Sequence, residues 1–318
     1  MAATVAIGEQ IRAPIRQELD ALEQELDRAF ASEIGLVSAI GRHLATMKGK
    51  RLRPAMALLA AKIGACETSV AVKVATAVEI VHTATLLHDD SIDRSHLRRG
   101  LPTVNRLWND QVSVIMGDHL FCKAFRILHE AGLFDVASVL SAGSDSMTYG
   151  EMFQMDLRGK YDISEDTYLA MVKHKTASLF ASACEAGAIV GGLTAEERSD
   201  LKAYGENLGI AFQIIDDILD FIGDVTLMGK PVGNDLRDGR VTLPLIVALR
   251  NGGSADEIRR AEWADVVRLV EDSGGVEYSR RLAESFAALA KEHLAGLRSC
   301  PAANSLRLVA DHVVLRKK

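Results

Sequence analysis

The chain has 318 residues, 48% of them hydrophobic but only 5% aromatic, with no proline between Pro102 and Pro231, a composition suited to long helices around one large core. Its formal net charge of −6 supplies no basic footprint and excludes a general nucleic-acid binder. The cysteines, Cys66, Cys122, Cys184 and Cys300, show neither CxxC nor Cys/His spacing, which excludes a zinc knuckle or disulfide scaffold and, with no secretory signal, favours a reducing cytoplasm.

The first amphipathic helix is expected over residues 15–30, with Leu19, Leu22, Leu26 and Phe30 on one stripe. A second, over 34–47, runs into the basic loop KGKRLRPAM, where Lys48, Lys50, Arg51 and Arg53 precede Pro54, a residue suited to the first turn of a helix over 54–63. Alone, such a loop is more often a solvated turn, although it also fits an anion site at a helix N-terminus. After a turn at 64–69 comes the stretch VEIVHTATLLHDDSIDRSHLRRG, residues 78–100. Val78, Val81, Ala84, Thr85 and Leu86 are apolar or small, while Asp89 and Asp93 stand one helical turn apart on one face, with Asp90 beside them. His82 fits a packed core residue or a phosphate contact, and Arg98 and Arg99 put cations next to the acids.

Further helices are expected over 105–129 and 133–157, separated at Gly132. The second is rich in small residues (Ser138, Ser141, Ala142, Gly143, Ser144, Ser146) and brings Gly150, Glu151 and Gln154 within about a turn. A helix over 164–187 carries Lys173, Lys175 and Thr176, the lysines suiting either a snorkelling surface position or a phosphate. The run GIAFQIIDDILDFIGD then repeats the acidic pattern with Asp216, Asp217 and Asp220. The glycine-bearing segment over 224–244, with Lys230, Asp235 and Arg240, reads as an active-site lid. Beyond it lie helices broken at Gly252–Gly253 and Gly274–Gly275 and a basic tail, with no chemistry of their own. No apolar run is read as a membrane span, and no linker divides residues 1–318, so one domain is expected.

A single DDxxD is more often a solvated helix face. Two, each inside an apolar run, point to a pair of carboxylate clusters that face one another and need cations to stay ionised. Mg²⁺ with a diphosphate suits them, because Mg²⁺ takes a few carboxylates and completes its shell with phosphate oxygens and water.

These residues resemble the trans-type polyprenyl diphosphate synthases over nearly the whole chain. The resemblance is carried by GKRLRP (49–54), HTATLLHDDSIDRSHLRRGLPT (82–103), GEMFQ (150–154), KTASLF (175–180), FQIIDDILD (212–220) and GKPVGNDLRDGRVTLP (229–244), with Arg240 where many members have lysine. It implies an all-α fold around a central cavity, a homodimer, and about three Mg²⁺ ions once substrate is bound. Asp89, Asp93 and Asp216 would ligate metal directly, with Asp90, Asp217 and Asp220 acting behind them. Arg98, Lys175 and Lys230 would hold the allylic diphosphate (farnesyl or geranyl). Lys50, Arg53, His82 and Arg99 would hold isopentenyl diphosphate, while Thr176 and Gln213 face the developing carbocation.

In that family the positions four and five before the first aspartate gate the growing chain, and here they are Thr85 and Ala84. With Val81 below them, they leave a path of about 18 Å at roughly 1.5 Å per residue, enough for a long product of about forty to fifty carbons, with Leu128 and Leu140 as candidate floors. The expected product is an all-trans chain for a respiratory quinone, with transient membrane association through that product. Alternatives are a shorter-chain synthase, a class I terpene cyclase and a non-catalytic partner subunit.

Overall fold

The computed structural model describes residues 2–222 and 233–316, with side chains from Ile7 onward. Helices account for most of it: α1 (Ala2–Arg12), α2 (Arg16–Phe30), α3 (Gly35–Thr46), α4 (Leu52–Ile63) and α5 (Thr68–Ile92) open the chain. The expected helix over 105–129 is divided into α6 (Val104–Leu107) and α7 (Asp110–Glu130), because the Asn109 side chain accepts from Val112 N at 2.8 Å and starts a new helix. Next come α8 (Phe134–Leu157), α9 (Glu165–Val172), α10 (Ser178–Val190) and α11 (Ala195–Ile222). A π turn, Lys173–Ala177, joins α9 to α10 within what periodicity reads as one helix. Past the undescribed segment stand α12 (Asn234–Arg237), α13 (Leu243–Arg250), α14 (Ala255–Arg260), α15 (Trp263–Asp272), α16 (Gly275–Glu292) and α17 (Pro301–Val314). The only strands among the described residues form a hairpin, Leu97–Arg98 against Leu101–Pro102, turning at Arg99 and Gly100, both at positive φ. The fold is all-α, as the sequence implies.

Helix α5 is the axis. It packs against α2, α4, α7 and α10, and Ala75, Ala77, Val78, Ile80, Val81 and Ala84 have no accessible surface. Burying each larger side chain of this kind is worth about 1.5–3 kcal/mol. With 25 residues and a hydropathy of 1.5, α5 is long and apolar enough to cross a membrane, which corrects the reading that no run reaches that length. Its apolar surface is spent on protein instead. Helix α11 is the second axis: Leu201, Tyr204 and Leu208 join the core around α5, while Ile214, Ile215 and Ile218 join a second core under α13, α15 and α16. Each acidic cluster therefore sits at the C-terminal end of a helix anchored by its own apolar face.

Candidate active site

Carboxylates at a helix C-terminus meet the negative end of its dipole, so the acids ending α5 need cations. Asp90 is buried and gripped by Arg98, with Nε at 2.9 and 3.0 Å from its two oxygens and Nη2 at 2.8 Å. Asp93 accepts from Arg158 at 3.0 Å and Arg240 at 2.8 Å. No such partner holds Asp89: burial pushes its carboxyl up to about 7, against the pull of Lys175 and with the push of Glu151.

The second cluster divides in the same way. Asp217 is buried, accepting from Tyr168 Oη at 2.6 Å and Gln213 Nε2 at 2.7 Å, and burial lifts its carboxyl well above the usual range. Asp220, also buried, accepts from the Asp235 backbone N–H at 3.0 Å and so anchors the start of α12. Asp216 keeps 42% side-chain exposure, with Arg316 Nη2 3.4 Å away. Among the described residues the Asp89 side chain is thus left without a hydrogen-bonding partner and Asp216 partly exposed, while the other acids of each motif are tied to protein. Arg240 links the motifs, binding Asp93, Asp238 (2.6 Å) and Asp235 (3.1 Å). Burial opposes its charge, but Asp235 and Asp93 outweigh this and hold its pKa above the ordinary value.

The π turn places Lys175, whose Nζ reaches Gln154 Oε1 at 2.6 Å and forms an ion pair with Glu151. Gly150 makes room for it: a Cβ there would lie 2.3 Å from Lys175 N. Thr176 Oγ1 donates to Gln213 Oε1 at 2.7 Å, and Gln213 passes the constraint to Asp217. Single-turn π segments of this type concentrate at functional sites.

Two turns before Asp89 along α5 stands His82, which with Lys50, Arg53 and Arg99 lines a cavity of about 600 Å³. The Arg53 guanidinium lies 4.3 Å from the Phe180 ring centroid, and its Nη1 is 3.3 Å from His82 Nε2. Burial lowers the Arg53 pKa to about 10, and its buried Nε has no protein partner. Burial and the surrounding guanidinium groups depress His82 far below its usual value, so the ring is neutral and its Nε2 accepts from Arg53. Arg99 donates to Met47 O at 2.7 Å and fills the space beside Gly49. A buried donor without an acceptor inside a ring of cations is a site for an anion.

Of the residues singled out, Lys230 lies outside the described residues. Arg98 is bound to Asp90 rather than open to a ligand. Thr85 is half-buried, its hydroxyl donating to His82 O at 2.8 Å, while Ala84, Val81, Leu128 and Leu140 are fully enclosed. The C-terminal helices do carry part of the site, contrary to expectation: Val309, His312, Val313 and Arg316 close one wall of the basic cavity, and Gly8, Ile11 and Arg12 of α1 another. No motif marks these residues; the one available signal is Arg316 in the basic tail. Among the described residues no three acidic, histidine or cysteine side chains converge into a ready-made metal cage, an arrangement that leaves ligand places to phosphate and water.

An all-helical body with an aspartate cluster near the end of each of two helices and a cationic cavity beside them defines an enzyme that handles diphosphates. The chain belongs to the polyprenyl synthetase family, whose profile matches residues 35–268. It is 39% identical, over 86% of its length and 87% of the relative's, to an all-trans-nonaprenyl-diphosphate synthase (geranyl-diphosphate specific) of Rhodobacter capsulatus. It is 36% identical, over 86% and 89%, to a short chain isoprenyl diphosphate synthase of Methanothermobacter thermautotrophicus. A polyprenyl synthase of Caulobacter crescentus, solved with calcium and isoprenyl diphosphate, superposes with a TM-score of 0.93 at 33% identity over 98% of both chains. The protein is a prenyl diphosphate synthase, a transferase acting on allylic and isopentenyl diphosphates.

Proposed function

We propose that the enzyme binds the allylic diphosphate with Mg²⁺ between Asp89 and Asp216, and isopentenyl diphosphate in the cavity of Lys50, Arg53, His82 and Arg99. The observation that carries this division is the unpartnered Arg53 Nε in a cavity of about 600 Å³. The donor set at the acidic clusters fits Mg²⁺, since the Asp89 side chain has no hydrogen-bonding partner among the described residues, Asp216 keeps 42% side-chain exposure, and the metal requires few protein ligands. When bound, the metal supplies charge neutralisation of the leaving diphosphate. Lys175, released from Glu151 and Gln154, is placed to add its charge to the same group. The Thr176 hydroxyl, oriented by Gln213, sits where an oxygen dipole favours a developing allylic cation. Purified protein incubated with Mg²⁺, farnesyl diphosphate and isopentenyl diphosphate releases diphosphate only when both substrates are present; release from farnesyl diphosphate alone indicates a cyclase, and no release a partner subunit.

The product on this reading is long, about forty to fifty carbons at the length of α5, and serves as a quinone side chain. Supporting it is the absence of aromatic side chains at Ala84, Thr85, Val81 and Val78. A growing chain would enter beside Thr85 and lengthen by parting α5 from α7 and α8, which carry Leu128 and Leu140. One observation favours a shorter product: below Thr85 the path is packed shut. Chromatography of the dephosphorylated alcohols separates the two. The exposed apolar side chains Ile115, Phe134, Tyr149 and Met152 on α7 and α8 support a homodimer, checked by sedimentation, and a cytoplasmic enzyme touching membranes through its product completes the reading.

A further inference from the structure

The resemblance gives no role of their own to Arg51 or to Glu79, yet both are costly. Arg51 adopts φ 54°, ψ 36° at the start of α4, a left-handed conformation that side-chain-bearing residues avoid. Glu79 stands in the most apolar part of α5, between Val78 and Ile80, with 5% side-chain exposure, where an unpaired carboxylate would not be tolerated. The two meet. Arg51 Nη1 donates to Glu79 Oε1 at 2.5 Å, while its Nε and Nη2 donate to Glu23 Oε1 and Oε2 at 2.7 and 3.3 Å. One planar guanidinium thus ties the basic loop to α2 on one side and to α5 on the other, a fork geometry that lysine cannot reproduce.

This strut falls between two cavity residues. Lys50 precedes Arg51 and Arg53 follows it, and all three line the cavity with Glu79, His82 and Arg99. Burial pushes the Glu79 carboxyl above its ordinary value, opposed by the positive field of Arg51, Arg53 and Arg99. Lys50, Arg51, Arg53 and Arg99 gathered around one space repel each other whenever no anion is present, and a buried carboxylate among them offsets that repulsion.

We propose that Glu79 is a positioning residue for isopentenyl diphosphate: through Arg51 it fixes the loop that aims Lys50 and Arg53, and its charge keeps the cationic cavity assembled before the substrate arrives. It rests on reading that cavity as the isopentenyl diphosphate site. Substrate contact stays with Lys50, Arg53, His82 and Arg99, and Glu79 acts through them. Misplacement of about 1 Å at such contacts costs up to roughly 10²-fold.

The test is steady-state kinetics of Glu79→Gln, which keeps the shape and removes the charge. The expected result is a KM for isopentenyl diphosphate raised at least about tenfold, with kcat and the allylic KM within about twofold of wild type. A fall in kcat with both KM values raised, or no change at all, overturns the proposal. Arg51→Lys, which keeps the charge and loses the fork, is the second variant, and an unchanged KM for isopentenyl diphosphate there overturns it too. Combining Glu79→Gln with Arg51→Lys should raise that KM no further than the larger single effect, since one strut is lost in either case; additive effects contradict a shared strut. Arg99→Ala is measured alongside. If it leaves the KM for isopentenyl diphosphate unchanged, the reading of the cavity fails; if it raises that KM and Glu79→Gln does not, the positioning inference fails alone.

Discussion

Asp89→Asn should make the metal-free protein more stable and nearly inactive. Burial lifts the Asp89 carboxyl from its ordinary 3.8 to about 7, opposed by Lys175 and Arg98 and reinforced by Glu151 and Asp93. A folded-state pKa above the unfolded one means that the native state holds this proton more tightly. The stability that the group contributes is therefore complete below about pH 4 and is lost as pH rises through about 7. The difference in pKa corresponds to at most about 4 kcal/mol. Removing the charge also strips Lys175 and Arg98 of a favourable neighbour, so a net gain of about 1–3 kcal/mol at pH 8 is expected. Urea denaturation in EDTA at about pH 5 and about pH 8 reads it: the wild type loses stability between them and the variant loses less. Turnover should fall by at least about 10²–10³. A variant less stable than wild type at the higher pH, or one with the wild-type pH slope, would refute the claim that Asp89 is a buried, cation-starved carboxylate.

Lys50→Ala should raise the KM for isopentenyl diphosphate, whereas Lys230→Ala should raise that of the allylic substrate; equal effects on both substrates would show that the two sites are not separate. Gly150→Ala places a Cβ 2.3 Å from the Lys175 backbone nitrogen, so the π turn must shift; a loss of about 1–3 kcal/mol with reduced kcat is expected, read by thermal melting and single-turnover rates. Ala84→Phe should shorten the product to farnesyl or geranylgeranyl length, and unchanged products from a folded, active variant would place the growing chain on another face.

The residues that the sequence displays best are those repeated or clustered in it. Asp89 and Asp216 belong to copied motifs, and the basic loop before Pro54 stands out by its charge, though charge alone fits a solvated turn as well. Glu79 has a weaker signal, a lone acid in an apolar helix, whose meaning depends on Arg51 lying across from it in space. Arg12 and His312 have none, and Arg316 only its place in the basic tail, because the walls they form come from α1 and α17 meeting over a cavity, and no local pattern encodes that distance. The break at Asn109 was legible as an N-cap residue, yet the apolar period ran through it. The Lys173–Ala177 π turn leaves no mark in the apolar period, and it lies close against α8 because Gly150 carries no side chain.

The central claim is that the chain carries two diphosphate sites of opposite construction, one built from carboxylates and one from cations. Calorimetric titration of the metal-free protein with each substrate tests it most directly. Isopentenyl diphosphate should bind in EDTA, through Lys50, Arg53 and Arg99, whereas farnesyl diphosphate should require Mg²⁺ for its high-affinity binding and should not displace the first ligand. Binding of isopentenyl diphosphate that demands Mg²⁺, or direct competition between the two substrates at low concentration, would contradict it.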